Sequence, residues 1–191
     1  MQVKPVWFKT TYNPYPPKPI PQCYFGNPGY VGFPIWYGME KYPDENFIDQ
    51  RSRGGVLKAR CFPDPHHEQA SPDQDKFMAA LIEHFKTNTV GLAKAGTGTG
   101  KTVSALNLAG KRGRSTLVIT DREHLSFDQW IPEAMLHLGL PENEIGIVQG
   151  KKCEYDKPFV AAIAKSLIER EYDPEFYDAF GTVIFDELDV F

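Results

Sequence analysis

The chain has 191 residues, of which 41% are hydrophobic and 24% charged, enough for one sizeable domain or for a domain with a small appendage. No run approaches the roughly eighteen consecutive apolar residues of a membrane span and no signal-peptide pattern opens the sequence, so a cytoplasmic protein with no membrane partner is expected. The formal net charge is −4, which does not advertise nucleic-acid binding, and the scattered Cys23, Cys61 and Cys153 argue against a disulfide framework and for a reducing compartment.

Residues 1–68 are expected to form a small, loop-rich, β-containing accessory domain. Tyr12-Asn13-Pro14-Tyr15-Pro16-Pro17-Lys18-Pro19 forbids a continuous helix or central strand and favours extended backbone. Short β-like pieces are expected at Tyr30–Tyr37 and around Phe47-Ile48. Trp7, Phe8, Tyr24, Phe25, Trp36 and Tyr37 read mainly as the core of this domain. Stacking of these rings on bases, with Arg51, Arg53, Lys58 and Arg60 touching phosphates, is the alternative. Cys61, His66 and His67 supply too few nearby ligands to favour a zinc site, and Pro63-Asp64-Pro65 marks the linker. Charge changes across it: residues 1–70 hold eight Lys and Arg against six Asp and Glu, residues 71–191 thirteen against nineteen. A nucleic-acid motor needs only a local basic track, so the overall acidity does not exclude one.

Residues 69–191 have the texture of a second, α/β domain. Ser71-Pro72-Asp73-Gln74 is a helix start with an N-cap, a first-turn proline and a capping-box glutamine, and Phe77, Leu81 and Phe85 recur on one face. Val90–Ala93 is expected as a short buried strand entering a glycine-rich loop, Val103–Ala109 as the helix leaving it. Leu117–Thr120 follows as a strand, then a helical stretch with Phe127, Trp130 and Leu136 interrupted near Pro132. Ile145–Val148, Phe159–Ile163 and Thr182–Phe185 are further strands. This alternation predicts a parallel sheet with helices on both faces.

Two segments carry chemistry. Glycines in Gly96-Thr97-Gly98-Thr99-Gly100-Lys101-Thr102 let successive N–H groups face phosphate oxygens at a helix N-terminus, Lys101 would reach the β- and γ-phosphates, and the Thr102 hydroxyl suits Mg²⁺. The strand Thr182–Phe185 delivers Asp186-Glu187-Leu188-Asp189 at the end where an α/β sheet places its ligand-facing residues. Asp186 is then a candidate for the Mg²⁺ shell, and Glu187 for orienting and deprotonating the attacking water. The plain alternatives are a Gly-rich turn with a chance Lys-Thr, weakened by the flanking strand and helix, and a solvated acidic turn, weakened by the presence of the glycine loop.

With these pieces in order, residues 70–191 resemble the first RecA-like domain of superfamily 2 helicases and translocases, within the phage UvsW-like, XPB-like and type III restriction-subunit group. Gly96–Thr102 is similar to that group's motif I, and Asp186–Asp189 to motif II, with Asp189 where the group has histidine. The resemblance implies a RecA-like P-loop fold, ATP and Mg²⁺ as cofactors, and Gln74 as a reader of the adenine edge. A helix-capping role for Gln74 stays equally open. It also implies nucleic-acid contacts at Arg122 in a motif Ia-like stretch, at Lys165 and Ser166 in Ala161–Leu167, and at Gly150 and Lys151 in a glycine-bearing turn that reads equally as a solvated basic turn.

The sequence stops before the group's motif III and second RecA-like domain, so an incomplete sheet, completed by a missing C-terminal part or by another chain, is expected. The resemblance implies the N-terminal portion of an ATP-dependent, phage-encoded DNA helicase or branched-DNA translocase, weak or inactive as 1–191 alone. Its partner would be branched or single-stranded DNA, with RNA not excluded. A P-loop ATPase of another class, such as a packaging motor, and a non-enzymatic nucleic-acid-binding module with a vestigial ATPase half are the alternatives.

Overall fold

A computed structural model describes residues 24–25, 31–32, 52–59, 72–96, 98–122 and 125–186. The chain divides into two compact units, Met1–Asp49 and Gln50–Phe191. In the first, β1 (Tyr24–Phe25) pairs antiparallel with β2 (Val31–Gly32), Tyr24 opposite Gly32 and Phe25 opposite Val31. The pieces expected at 33–37 and 47–48 lie outside the described residues, as do Trp7, Phe8, Trp36, Tyr37, Arg51, Arg60, Cys61, His66 and His67.

The second unit contains β3 (Thr116–Thr120), β4 (Ile145–Gln149), β5 (Lys152–Cys153), β6 (Phe159–Ile163) and β7 (Thr182–Phe185). They form one sheet in the order β5-β4-β6-β3-β7. The last four in that order run parallel, and β5 is a short antiparallel return of β4. Val118 at the centre of β3 stands opposite Ala161 on one side and Ile184 on the other.

β3 and β6 are buried along their whole length, as central parallel strands covered on both faces must be. Strand alternation sends their side chains into two cores. Val118 and Phe159 meet Leu106, Trp130 and Leu138 on one face; Leu117, Ile119, Val160 and Ala162 meet Phe176 and Phe180 on the other. The first core is covered by α2 (Lys101–Arg112) and α3 (Ile131–Leu138), with α1 (Pro72–Thr87) against α2. Residues around the short α4 (Ala164–Ile168) and α5 (Pro174–Asp178) cover the second. This mixed, mostly parallel sheet between helical layers is the RecA-like α/β arrangement that the resemblance implies.

Local chemistry sets the element ends. α2 stops at Gly113, whose φ of 61° lets its N–H reach the carbonyls of Ala109 and Gly110. Before α3 the chain widens into a π-helical segment, Leu125–Trp130. Pro132 has no N–H to close an α-turn on the Asp128 carbonyl, and its ring crowds that oxygen, so a tight helix cannot run through this point.

Two expectations meet a different structure. Val90–Ala93 is not a buried strand: it joins no ladder, and Val90 and Leu92 are 60% and 79% exposed. A strand exists only through its partner's hydrogen bonds. Here the Val90 carbonyl instead lies 2.8 Å from His84 Nε2, and β7 pairs with β3 alone among the described residues. Secondly, residues 52–59, placed by composition with the accessory domain, are built into the α/β unit. Leu57 is 3% exposed in the first core, its N–H donates to the Gly113 carbonyl, and Val56 bridges Arg114. Gly54, with φ +62°, passes so close to Gly181 that a Cβ would come within 2.1 Å of the Gly181 nitrogen.

Candidate nucleotide-binding site

The loop that enters α2 has the backbone that its glycines allow. Gly98 and Gly100 have φ of 76° and 77°, in the left-handed region that L side chains rarely adopt. Thr99 Oγ1 donates to the Gly96 carbonyl at 2.7 Å, closing a turn, and the Ser104 N–H donates to the Gly100 carbonyl at 2.9 Å as α2 begins. Lys101 is exposed and Thr102 half-buried in the first turn, where unpaired amides and the helix dipole favour an anion. Thr97 lies outside the described residues.

α1 delivers Gln74 to this loop. Its side-chain amide lies against Gly100, where an added Cβ would come within 2.2 Å of Gln74 Nε2. The missing side chain at position 100 therefore serves both the backbone conformation and the approach of Gln74.

β7 delivers Asp186. Its N–H donates to the Ile119 carbonyl at 3.0 Å, carrying the β3–β7 ladder one residue past the strand and leaving the carboxylate half-buried at the C-terminal end of the sheet. Glu187 and Asp189 lie outside the described residues.

Two side chains that the sequence reading passed over tie these parts together. Gln129 Nε2 donates to Thr102 Oγ1 at 3.0 Å, and the indole N–H of Trp130 donates to Asp186 Oδ2 at 2.8 Å. Adjacent residues of the π-helical segment thus touch the loop hydroxyl and the strand-end carboxylate. Trp130, read from sequence only as part of a helical stretch, is a core residue at 2% exposure. Its N–H is a polar handle that only the fold aims.

The expected nucleic-acid residues fall at the C-terminal ends of three parallel strands. After β3, Arg122 is exposed and pairs with Asp121 at 3.1 Å. After β4 and β6, the Gly150 N–H donates to Ser166 Oγ at 2.9 Å, so this amide and hydroxyl are brought together but engage each other. Arg170 and Tyr172, absent from the sequence reading, complete the cluster: Arg170 donates to the Gly150 carbonyl at 2.5 Å and stacks over the Tyr172 ring, and the Tyr172 hydroxyl donates to the Ser166 carbonyl at 3.0 Å. Burial pushes the Tyr172 phenol above its ordinary pKa, with Arg170 acting in the opposite sense. Lys151 and Lys165 are exposed, and Lys165 faces Glu169 at a loose 3.8 Å.

A protein of Acanthamoeba polyphaga mimivirus named "Putative ATP-dependent RNA helicase" is 30% identical over 189 residues, an alignment that takes in 92% of this chain and 33% of the relative. The chain thus spans about a third of the length of that relative. No helix among the described residues is long and apolar enough to cross a membrane. The family described as type III restriction enzyme, res subunit, matches residues 68–188, the stretch that carries both the glycine loop and the strand-end aspartate, and the chain belongs to that family.

Proposed function

We propose that this chain is the nucleotide-binding part of an ATP-dependent helicase or translocase that acts on DNA. The observation that supports the reading is the pair of contacts by which neighbouring residues of one segment, Gln129 and Trp130, engage the loop hydroxyl of Thr102 and the strand-end carboxylate of Asp186. Membership in a restriction-enzyme family favours DNA, whereas the mimivirus relative is named for RNA, and the assay below separates the two.

The chain's own groups suit ATP. Amides from Gly96 to Lys101 supply donors for phosphate oxygens, and Lys101 adds a flexible ammonium on an exposed stem. Gln74, held against Gly100, stands at the loop where an adenine edge would be read. Thr102 Oγ1 and the Asp186 carboxylate are hard oxygen donors of the kind Mg²⁺ takes, and these residues would hold it. When bound, Mg²⁺ neutralises charge on the β- and γ-phosphates. Glu187, next in the chain, is the group to orient and deprotonate the attacking water.

Exposed Lys151, Lys165 and Arg122 at the strand ends supply phosphate contacts, while Gly150 and Ser166 shape the turn that carries Lys151. A second RecA-like domain would add the arginine that stabilises transition-state charge.

The test is ATP hydrolysis by the full-length protein with single-stranded DNA, branched DNA or RNA added. DNA-stimulated turnover that falls about a hundredfold or more in Lys101→Ala supports the reading. Stimulation by RNA alone overturns the choice of DNA, and unstimulated turnover favours a P-loop motor of another class. DNA affinity with no ATP consumption indicates a binding module.

A further inference from the structure

Gln129 and Trp130 occupy neighbouring positions on one π-helical turn, a rare conformation that recurs at functional sites. Their two environments differ sharply. Trp130 is 2% exposed and packed in the core that also holds Leu106, Val118 and Ala134, so its ring orientation is set by packing. Gln129 is exposed, and its bond to Thr102 is open to competition from water, so it adds little to folding stability. A contact of this kind is better explained by what it does to Thr102 than by what it does for the fold.

The donor and acceptor inventory says what that is. A threonine hydroxyl has two lone pairs and one proton; Gln129 Nε2 takes one lone pair, which leaves the other for a cation and the proton for a neighbouring acceptor. Indole N–H is a donor only, so Trp130 cannot compete for a cation. It can only fix the Asp186 carboxylate, through a charge-assisted bond to Oδ2 that leaves Oδ1 for metal or metal-bound water. Both bonds hold their ligand oxygens without consuming the lone pairs that a divalent ion needs.

We infer that Gln129 and Trp130 are positioning residues for Mg²⁺, orienting the Thr102 and Asp186 oxygens together from a single turn. The inference rests on the reading of Thr102 and Asp186 as the ion's protein ligands. It gives the π-helical segment a purpose beyond satisfying the buried indole N–H, which any acceptor oxygen would do.

The experiment is Mg²⁺ titration of fluorescent ATP-analogue binding to the full-length protein, with parallel binding in EDTA and a thermal melt of each variant. Gln129→Met keeps the side chain's length and removes its donor; Trp130→Phe keeps an aromatic ring and removes its N–H. Each should raise the Mg²⁺ concentration for half-saturation about tenfold or more. Binding in EDTA, which depends on the amides and Lys101, should stay within about twofold, less than the shift expected when the positioning of a metal's ligands is lost.

Gln129→Met decides the matter if Trp130→Phe fails to fold, because residue 129 is exposed. Thr102→Ala and Asp186→Asn are the reference. If these two shift the Mg²⁺ requirement and Gln129→Met does not, the positioning role is wrong while the cation site stands. If neither reference variant shifts it, the cation site itself is misplaced and the inference falls with it.

Discussion

Gln74 closes over Gly100: the side-chain amide occupies the space into which a Cβ at position 100 would project, 2.2 Å from Nε2. The first turn of α1 and a glycine of the phosphate loop therefore form a single contact.

Gly100→Ala should impair the loop for two separable reasons. A left-handed φ of 77° in a non-glycine residue costs about 1–2 kcal/mol. The clash with Gln74 is with the far end of a flexible side chain, which can move. Adding Gln74→Ala to Gly100→Ala should therefore recover little stability, measured by urea unfolding. Full recovery would mean that the collision and not the backbone dominates.

Leu57→Ala should destabilise the α/β unit by about 2–5 kcal/mol, the range for truncating a buried leucine. The same unfolding experiment reads it. A change near zero would detach residues 52–59 from the unit and return them to the N-terminal part.

Ser166→Ala and the lysines beside it should behave differently. Ser166 accepts the Gly150 N–H and is 9% exposed, while Gly150 is exposed to water, so removing the hydroxyl should cost about 0.5–1.5 kcal/mol of stability. Lys151→Ala and Lys165→Ala should leave stability nearly unchanged and each reduce the salt dependence of DNA affinity by about one unit of slope. Equal salt slopes in wild type and both lysine variants would remove these residues from the nucleic-acid surface.

These contrasts mark what the sequence could convey. β3 and β6 are legible as runs of β-branched and apolar residues, because a buried strand needs little besides apolar side chains and extended backbone. The glycine loop is legible because positive φ and a following Lys-Thr leave few other uses. Val90–Ala93 has the same texture as the true strands and is not one, since pairing is decided by a neighbour far along the chain. Leu57 gives no periodic signal, standing among glycines and charged residues. Gln129 and Trp130 are invisible for another reason: their roles depend on where Thr102 and Asp186 end up, a relationship across 27 and 56 residues that no local pattern encodes.

The central claim is that the glycine loop and Asp186 face one nucleotide and one ion. The most direct measurement is a crystal structure of the protein with a non-hydrolysable ATP analogue and Mn²⁺ in place of Mg²⁺, the metal located by its anomalous signal. The account predicts one manganese peak between the β- and γ-phosphates, ligated by Thr102 Oγ1 and adjoining the Asp186 carboxylate. A peak remote from both residues, or triphosphate density away from the Gly98 and Gly100 amides, would contradict it.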